Sequence, residues 1–332
     1  MSDCAECSDM QAYTVYNQSG GQGKTTVARD LAAAHAEIDQ RVLLIDMDAQ
    51  NGSLSNYLGV DDNKRNPEAD DLTFHLVEQG QGEFSDLIRT AEPNVDVLPS
   101  HKRLNRVDEF LDSHENYIGQ TKPDDWEYPR YERLLNVLRE NDVPSEYDVV
   151  IIDPNAKADT VYYMALYATR NVVIPAVPTR SGYESIDGVA DSAQGFAENQ
   201  DINIGRTAVI PTMVDTRKGD HKDYARKLRD EYDAPVYFKS LSAFESAEEQ
   251  YVSVFQLFNE HRSRVRKSEK NILPKYRTLA ATICATFGNP LPKEAWDGKE
   301  LFTGDDFWGD VDIPFADADV ADDTIDQTAG VN

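Results

Sequence analysis

Cysteine is almost missing from this 332-residue chain, which carries only Cys4, Cys7 and Cys284. Three thiols are too few for a disulfide framework. Cys4 and Cys7 form CAEC, half of a metal-ligand set in a polar stretch. They read as an incidental reduced pair, with metal or redox work as the sharper alternative. Long apolar runs are absent too: none approaches the ~18 residues that a membrane-crossing helix needs. Basic charge is scarce, with 33 Lys and Arg against 60 Asp and Glu, a formal net charge of −27. Such an excess means a strongly solvated surface and points to adaptation to concentrated salt. Screening there would also weaken long-range repulsion of nucleic acid. The opening MSDCAECSDMQ is acidic and polar, unlike a secretory signal, so a cytoplasmic protein is expected. Hydrophobic residues at 40% and aromatics at 9% fit a globular chain with a sizeable core.

What is present is a rhythm of buried strands and amphipathic helices. "AYTVYN" (12–17) reads as a short strand ending at a glycine loop. Val27, Leu31, Ala34 and Ile38 recur at helical spacing over 24–38. "RVLLID" (41–46) is a continuous apolar run, the sign of a strand buried on both faces. "VDVLPS" (95–100), "YDVVIID" (147–153), "NVVIPA" (171–176), "RTAVIP" (206–211) and "PVYF" (235–238) repeat the pattern. Helical stretches lie at 130–140, 182–199 and 221–232. The alternation predicts an α/β fold: a doubly wound, mostly parallel sheet with helices on both faces. Residues 61–71 and 114–129 read as loops or insertions. The expected organisation is a flexible lead over 1–11, one domain over 12–289 and an acidic tail over 290–332. Residues 294–332 hold 12 acids against the single lysine Lys299. The tail reads as disordered, with partner docking or autoinhibition as the alternative.

The most informative stretch is "YNQSGGQGKTTVARDLA", residues 16–32, where a strand meets a helix through a glycine loop. Gly20, Gly21 and Gly23 allow a tight turn with amide hydrogens aimed at an anion. Lys24 can bring a charge to the β and γ phosphates, the Thr25 hydroxyl can ligate Mg²⁺, and the helix directs its positive end at the same place. The usual first glycine falls at Gln18, so the loop is a variant. Asp46 and Asp48 end one buried strand, at the sheet edge where such folds bind ligands. Asp153 ends another, the pattern of an acid that holds the Mg²⁺ shell. An acid in such a place can also be a helix cap; three behind one phosphate loop favour the site.

"NQSGGQGKTT", "LLIDMDAQNGSLSNYLG", "VDVLPS", "YDVVIID" and "NVVIPAVPTRSGYESIDG" together resemble the ParA/MinD family of deviant Walker ATPases, most nearly its ParA branch. The resemblance spans roughly residues 12–287. It implies a Mg²⁺-dependent ATPase that forms an ATP-dependent homodimer on the nucleoid, binds DNA without sequence preference, answers to a ParB-like adaptor and acts in plasmid or chromosome partitioning. Carried over by position, Gly20, Gly21, Gln22, Gly23, Lys24, Thr25 and Thr26 would hold the phosphates. Asp48 would orient the attacking water, with Asp46 and Asp153 supporting the metal. Thr212, Lys239 and Ser240 would line the adenine pocket. Ser19 departs from the pattern, because the family's signature lysine should stand there. Charge stabilisation matters in phosphoryl transfer, so slow basal hydrolysis is expected, or a replacement cation such as Lys157. A nucleotide-gated scaffold or repressor with little hydrolysis is the alternative reading.

Two windows are locally basic: 216–229 with six Lys and Arg against two Asp, and 261–277 with seven against one Glu. In the second, Arg262, Arg264, Arg266, Lys267, Lys270, Lys275 and Arg277 are candidates for DNA phosphate contacts of a salt-sensitive kind. The acidic, proline-interrupted C-terminal stretch disfavours the basic amphipathic helix by which MinD-type relatives lie on membrane. No cysteine stands between Cys7 and Cys284 to serve an iron–sulfur carrier.

Overall fold

The computed structural model describes residues 10–50, 53–123 and 125–316. Seven strands form one sheet: β1 (Gln11–Val15), β2 (Val42–Met47), β3 (Arg89–Glu92), β4 (Val95–Leu98), β5 (Val149–Pro154), β6 (Asn171–Ala176) and β7 (Gly205–Pro211). Their order is β3-β4-β2-β5-β1-β6-β7, with every pairing parallel except β3 against β4. The helices are α1 (Lys24–Ala36), α2 (Leu54–Tyr57), α3 (Leu72–Leu76), α4 (Val107–Gly119), α5 (Arg133–Glu140), α6 (Val143–Glu146), α7 (Thr160–Thr169), α8 (Arg180–Gln200), α9 (Gly219–Tyr232), α10 (Ser242–Glu249), α11 (Val254–Gln256) and α12 (Ile272–Thr286). The doubly wound expectation holds.

Side-chain alternation along the strands divides the core in two. Val42 and Leu44 face one layer with Val149 and Ile151, under α1 and α12. Leu43, Ile45 and Met47 face the other with Val150 and Ile152, under α4, α5 and α7. Every residue of β2 and β5 is buried, which explains why both read as unbroken apolar runs. β1 lies between β5 and β6, where the winding direction reverses, and such reversals open the ligand crevice of this architecture.

Several local expectations need correction. Residues 235–238 are not a strand of the sheet. They run extended past the end of β7, held by Phe238 N–H to Pro211 O (2.8 Å) and Val214 N–H to Phe238 O (2.9 Å). Residues 114–119 belong to α4 rather than to a loop. The antiparallel edge strand β3 had no clear signal in "RTAE", which is short and polar.

The acidic segment after residue 289 also differs from its reading. Trp296, Phe302, Trp308 and Ile313 are buried in the same core as α1 and α12. A small hairpin, β8 (Gly304–Asp305) with β9 (Gly309–Asp310), lies within this segment, and Ile313 packs beyond it. Aromatic side chains without helical period were anchors of a strap, and charge counting alone hid them. Residues 317–332, the lead through residue 9, and with them Cys4 and Cys7, lie outside the described residues.

Candidate functional site

The glycine loop leaves β1 and enters α1 in the predicted place. Gly21 (φ 71°) and Gly23 (φ 81°) occupy the left-handed region that glycine favours, whereas Gly20 does not. Asn17, fully buried, braces the loop: its amide donates to Pro175 O and Ser185 Oγ, both 2.9 Å away, and its Oδ1 accepts from Ser19 N–H. Gln22 Oε1 accepts from Val177 N–H (2.7 Å), and Gln22 O accepts from the Thr212 hydroxyl (2.9 Å). The loop is therefore tied to β6 and β7 before any ligand arrives. Gln18, standing where a glycine is usual, lies against Gly188 of α8; a Cβ there would come within 1.9 Å of the Gln18 amide. Asn17 and Gly188 lie inside the quoted stretches but were given no role there, because their partners on distant segments are set only by the fold.

Asp46 and Asp153 are register partners at the ends of β2 and β5. Asp153 is buried, and among the described residues neither of its carboxylate oxygens finds a hydrogen-bond partner. Burial first, then the Asp46 carboxylate, push its pKa up to about 7, while the nearby Thr25 hydroxyl and Lys24 ammonium oppose the shift. Lys24 is itself held below the ordinary lysine range by burial, against the pull of Asp153 and Asp48. Asp48 is raised, chiefly by burial, although its Oδ1 accepts from Gln50 N–H at 2.8 Å.

An orphaned buried carboxylate beside a threonine hydroxyl and a lysine fits a magnesium ion. Mg²⁺ usually takes one or two carboxylates and completes its shell with water and phosphate oxygens. Asp46 does not share this freedom. Its Oδ1 accepts from Asp48 N–H (2.9 Å), and its Oδ2 accepts from Ser55 N–H (2.8 Å), Ser55 Oγ (2.5 Å) and Ser100 Oγ (2.9 Å). Asp46, held by these donors, organises the turn after β2, and its support of the metal stays an expectation.

Thr212, Lys239 and Ser240 come together as expected. With Gly23, Thr26 and Phe238 they line a cavity of about 180 Å³ beside the start of α1. Lys157 is exposed, at a second cavity of about 360 Å³ that also meets Asp48, Gln50 and Asp108.

The basic window 261–277 does not present one face. Lys275 turns inward, 5% exposed, with its ammonium 3.2 Å from the Tyr237 ring centroid. Burial lowers its pKa to about 7, with Asp305 opposing. Arg277 pairs with Glu37 (2.6 Å) and Arg262 with buried Glu269 (3.1 Å). These three are corrected as surface contacts, because internal partners claim their charge. Arg264, Arg266, Lys267 and Lys270 remain exposed, on the turn before α12.

A phosphate loop at the reversal of a parallel sheet, with an unpartnered acid at the neighbouring strand end, defines a P-loop nucleotide-binding protein. A family model described as "AAA domain" matches residues 10–204. The chain belongs to that family, in its ParA/MinD group of P-loop ATPases. It is similar to a protein named "Probable plasmid-partitioning protein ParA" from Thermus thermophilus, 30% identical over 64% of this chain and 61% of that one. It is also similar to the chromosome partitioning protein ParA of Caulobacter vibrioides, 27% identical over 69% of this chain and 79% of the relative. This chain thus spans somewhat under two thirds of the Thermus relative. Among solved structures, an McdA–ATP complex from Cyanothece superposes with a TM-score of 0.62 at 20% identity, covering 90% of this chain and all of that one. The septum site-determining protein MinD of Pyrococcus horikoshii, complexed with Mg-ADP, gives 0.57 at 18%, covering 82% and 96%. Both show the same fold. Among the described residues no helix is long and apolar enough to cross a membrane.

Proposed function

We propose that this protein is a partitioning ATPase of ParA type, which binds Mg·ATP, dimerises in that state and rests on DNA. The observation that carries the reading is the unpartnered, buried carboxylate of Asp153 beside Thr25 and Lys24. Backbone amides of Gly21 to Thr26, at the start of α1, would cradle the phosphates. Lys24 would place its ammonium against the terminal phosphates. Mg²⁺, held by the Thr25 hydroxyl and Asp153, would neutralise developing phosphate charge. Asp48, half-buried and pinned by its own turn, would accept a hydrogen bond from the attacking water and orient it in line. Thr212, Lys239 and Ser240 would receive the adenine end of the nucleotide in the 180 Å³ cavity.

Exposed Arg264, Arg266, Lys267 and Lys270 would supply non-specific, salt-sensitive DNA contacts, with a ParB-like adaptor controlling turnover and the nucleoid as the site of work. The net charge of −27 supports a salt-rich cytoplasm as the working environment. The names of the Thermus and Caulobacter relatives support the partitioning role.

Calorimetry with Mg·ATP in molar KCl tests the reading: binding that disappears with Lys24→Ala is expected, and absence of heat from the wild type would sink it. One observation favours a second reading. Ser19 is neutral, so the protein could use ATP as an assembly gate with little hydrolysis. Phosphate release at high salt with DNA present decides, since equal release from wild type and Asp48→Ala favours the gate.

A further inference from the structure

The stretch 61–71, unremarkable as a sequence insertion, carries a lysine into the turn that comes after β2. Lys64 is 5% exposed. Its Nζ donates to Gln50 O (2.5 Å), Ser53 Oγ (2.5 Å) and, more weakly, Asp48 O (3.3 Å). An ammonium has three donors and no acceptor, so its capacity is spent on three residues of one turn. Burying such a charge is costly unless its hydrogen bonds are made, and here all of them are made to the segment that holds Asp48.

The anchor of Lys64 is itself fixed. Lys102 N–H donates to Lys64 O (3.1 Å), His101 Nε2 bonds Asn66 O (3.0 Å), and Arg103 binds Ala69 O (2.8 Å), Pro67 O and Asp71. The insertion is thus clipped to the 3₁₀ turn at Lys102–Arg106. From the other side the network continues through Ser53 and Ser100 to Asp46. Asp48 is consequently held at both ends of its backbone, with its N–H on Asp46 and its carbonyl on Lys64.

We propose that Lys64 is a positioning residue for Asp48: its buried ammonium gathers the carbonyls of Asp48 and Gln50 and the Ser53 hydroxyl, fixing the direction in which the Asp48 carboxylate meets water. This rests on the reading of Asp48 as the residue that orients the nucleophile. It requires no contact between Lys64 and the nucleotide, so binding and turnover should separate.

Steady-state ATPase rates and Mg·ATP calorimetry on Lys64→Met, Asp48→Ala and the double variant test it. Lys64→Met should lower kcat about tenfold or more while leaving Mg·ATP affinity within about threefold. In the Asp48→Ala background the same change should cost less than about twofold, because the positioned group is gone. Lys64→Arg, which keeps the charge and donors, should recover part of the loss. Unchanged kcat in Lys64→Met, or an equal loss in both backgrounds, overturns the proposal in favour of a purely structural clamp. If Lys64→Met does not fold, Ser53→Ala removes one acceptor and carries the same comparison. If the wild type turns over no ATP, the functional reading fails by itself. Hydrogen exchange of the Asp48 and Gln50 amides then judges the brace: faster exchange in the variant retains it, and identical exchange rejects it.

Discussion

Asp46 and Asp153 sit side by side at the ends of adjacent buried strands, in register, with the same side chain and almost no exposure. Among the described residues one carboxylate accepts from four protein donors and the other from none. The difference lies in the path that the chain takes beyond each strand. After β2 the chain folds back so that Ser55 and the Asp48 amide return to Asp46, with Ser100 arriving from the end of β4. After β5 it leaves toward α7, and Lys24 and Thr25 of the phosphate loop stand near Asp153. A filled carboxylate is architecture, whereas an empty buried one holds desolvation strain that a cation and its water can relieve. Two identical residues at one sheet edge thus have opposite thermodynamic signs.

The sharpest way to break this comparison is to remove both acids in turn. Asp46→Ala strands several buried donors and is expected to cost about 3 kcal/mol or more of stability, read as a fall in the urea midpoint at constant slope. A wild-type midpoint would show that the donors find other partners. Asp153→Asn should instead leave the fold intact and lower ATP turnover by about a hundredfold or more, measured by phosphate release with saturating Mg²⁺. Retained turnover would remove Asp153 from the metal shell.

The same variant carries a pH signature. In the unfolded chain Asp153 ionises near its ordinary value of 3.8, whereas in the folded protein it does so at about 7. Between those values the unfolded state gives up a proton that the folded state keeps, so the contribution of this group to stability falls as pH rises through the window. Without nucleotide or Mg²⁺, Asp153→Asn should therefore melt above the wild type at pH 8, by roughly 5 °C. The gap should close below about pH 4. A gap that is constant with pH would mean that the carboxylate is not strained. The smallest effect is expected at Lys157, exposed across the 360 Å³ cavity from Asp48. Lys157→Ala should slow turnover several-fold if it answers for Ser19, and an unchanged rate leaves the missing lysine uncompensated.

Most of the fold was legible because its signals are local. The phosphate loop, the fully apolar β2 and β5 and the helices at 180–200 and 219–232 each announce themselves within a few residues of sequence. The candidate site was legible where it is contiguous, from Gly20 to Thr26 and at the strand-end acids. Sequence could not say that Lys275, Arg262 and Arg277 would be drawn onto Tyr237, Glu269 and Glu37, since a basic window gives no information about distant partners. Trp296, Phe302 and Trp308 were misread for the same reason, because their apolar contacts lie on α12 and on segments far back in the chain.

The chain by itself determined that a parallel sheet would present a phosphate loop and three acids at one edge, because burial on both faces and a tight glycine turn are written in neighbouring residues. Only the tertiary structure decided which acid is left unpartnered, and that a lysine from the 61–71 stretch is buried against the turn after β2. Those outcomes depend on how the chain folds back, bringing Ser55, Lys64 and the distant Ser100 to the end of β2, and desolvation is fixed only when the whole fold has closed around them.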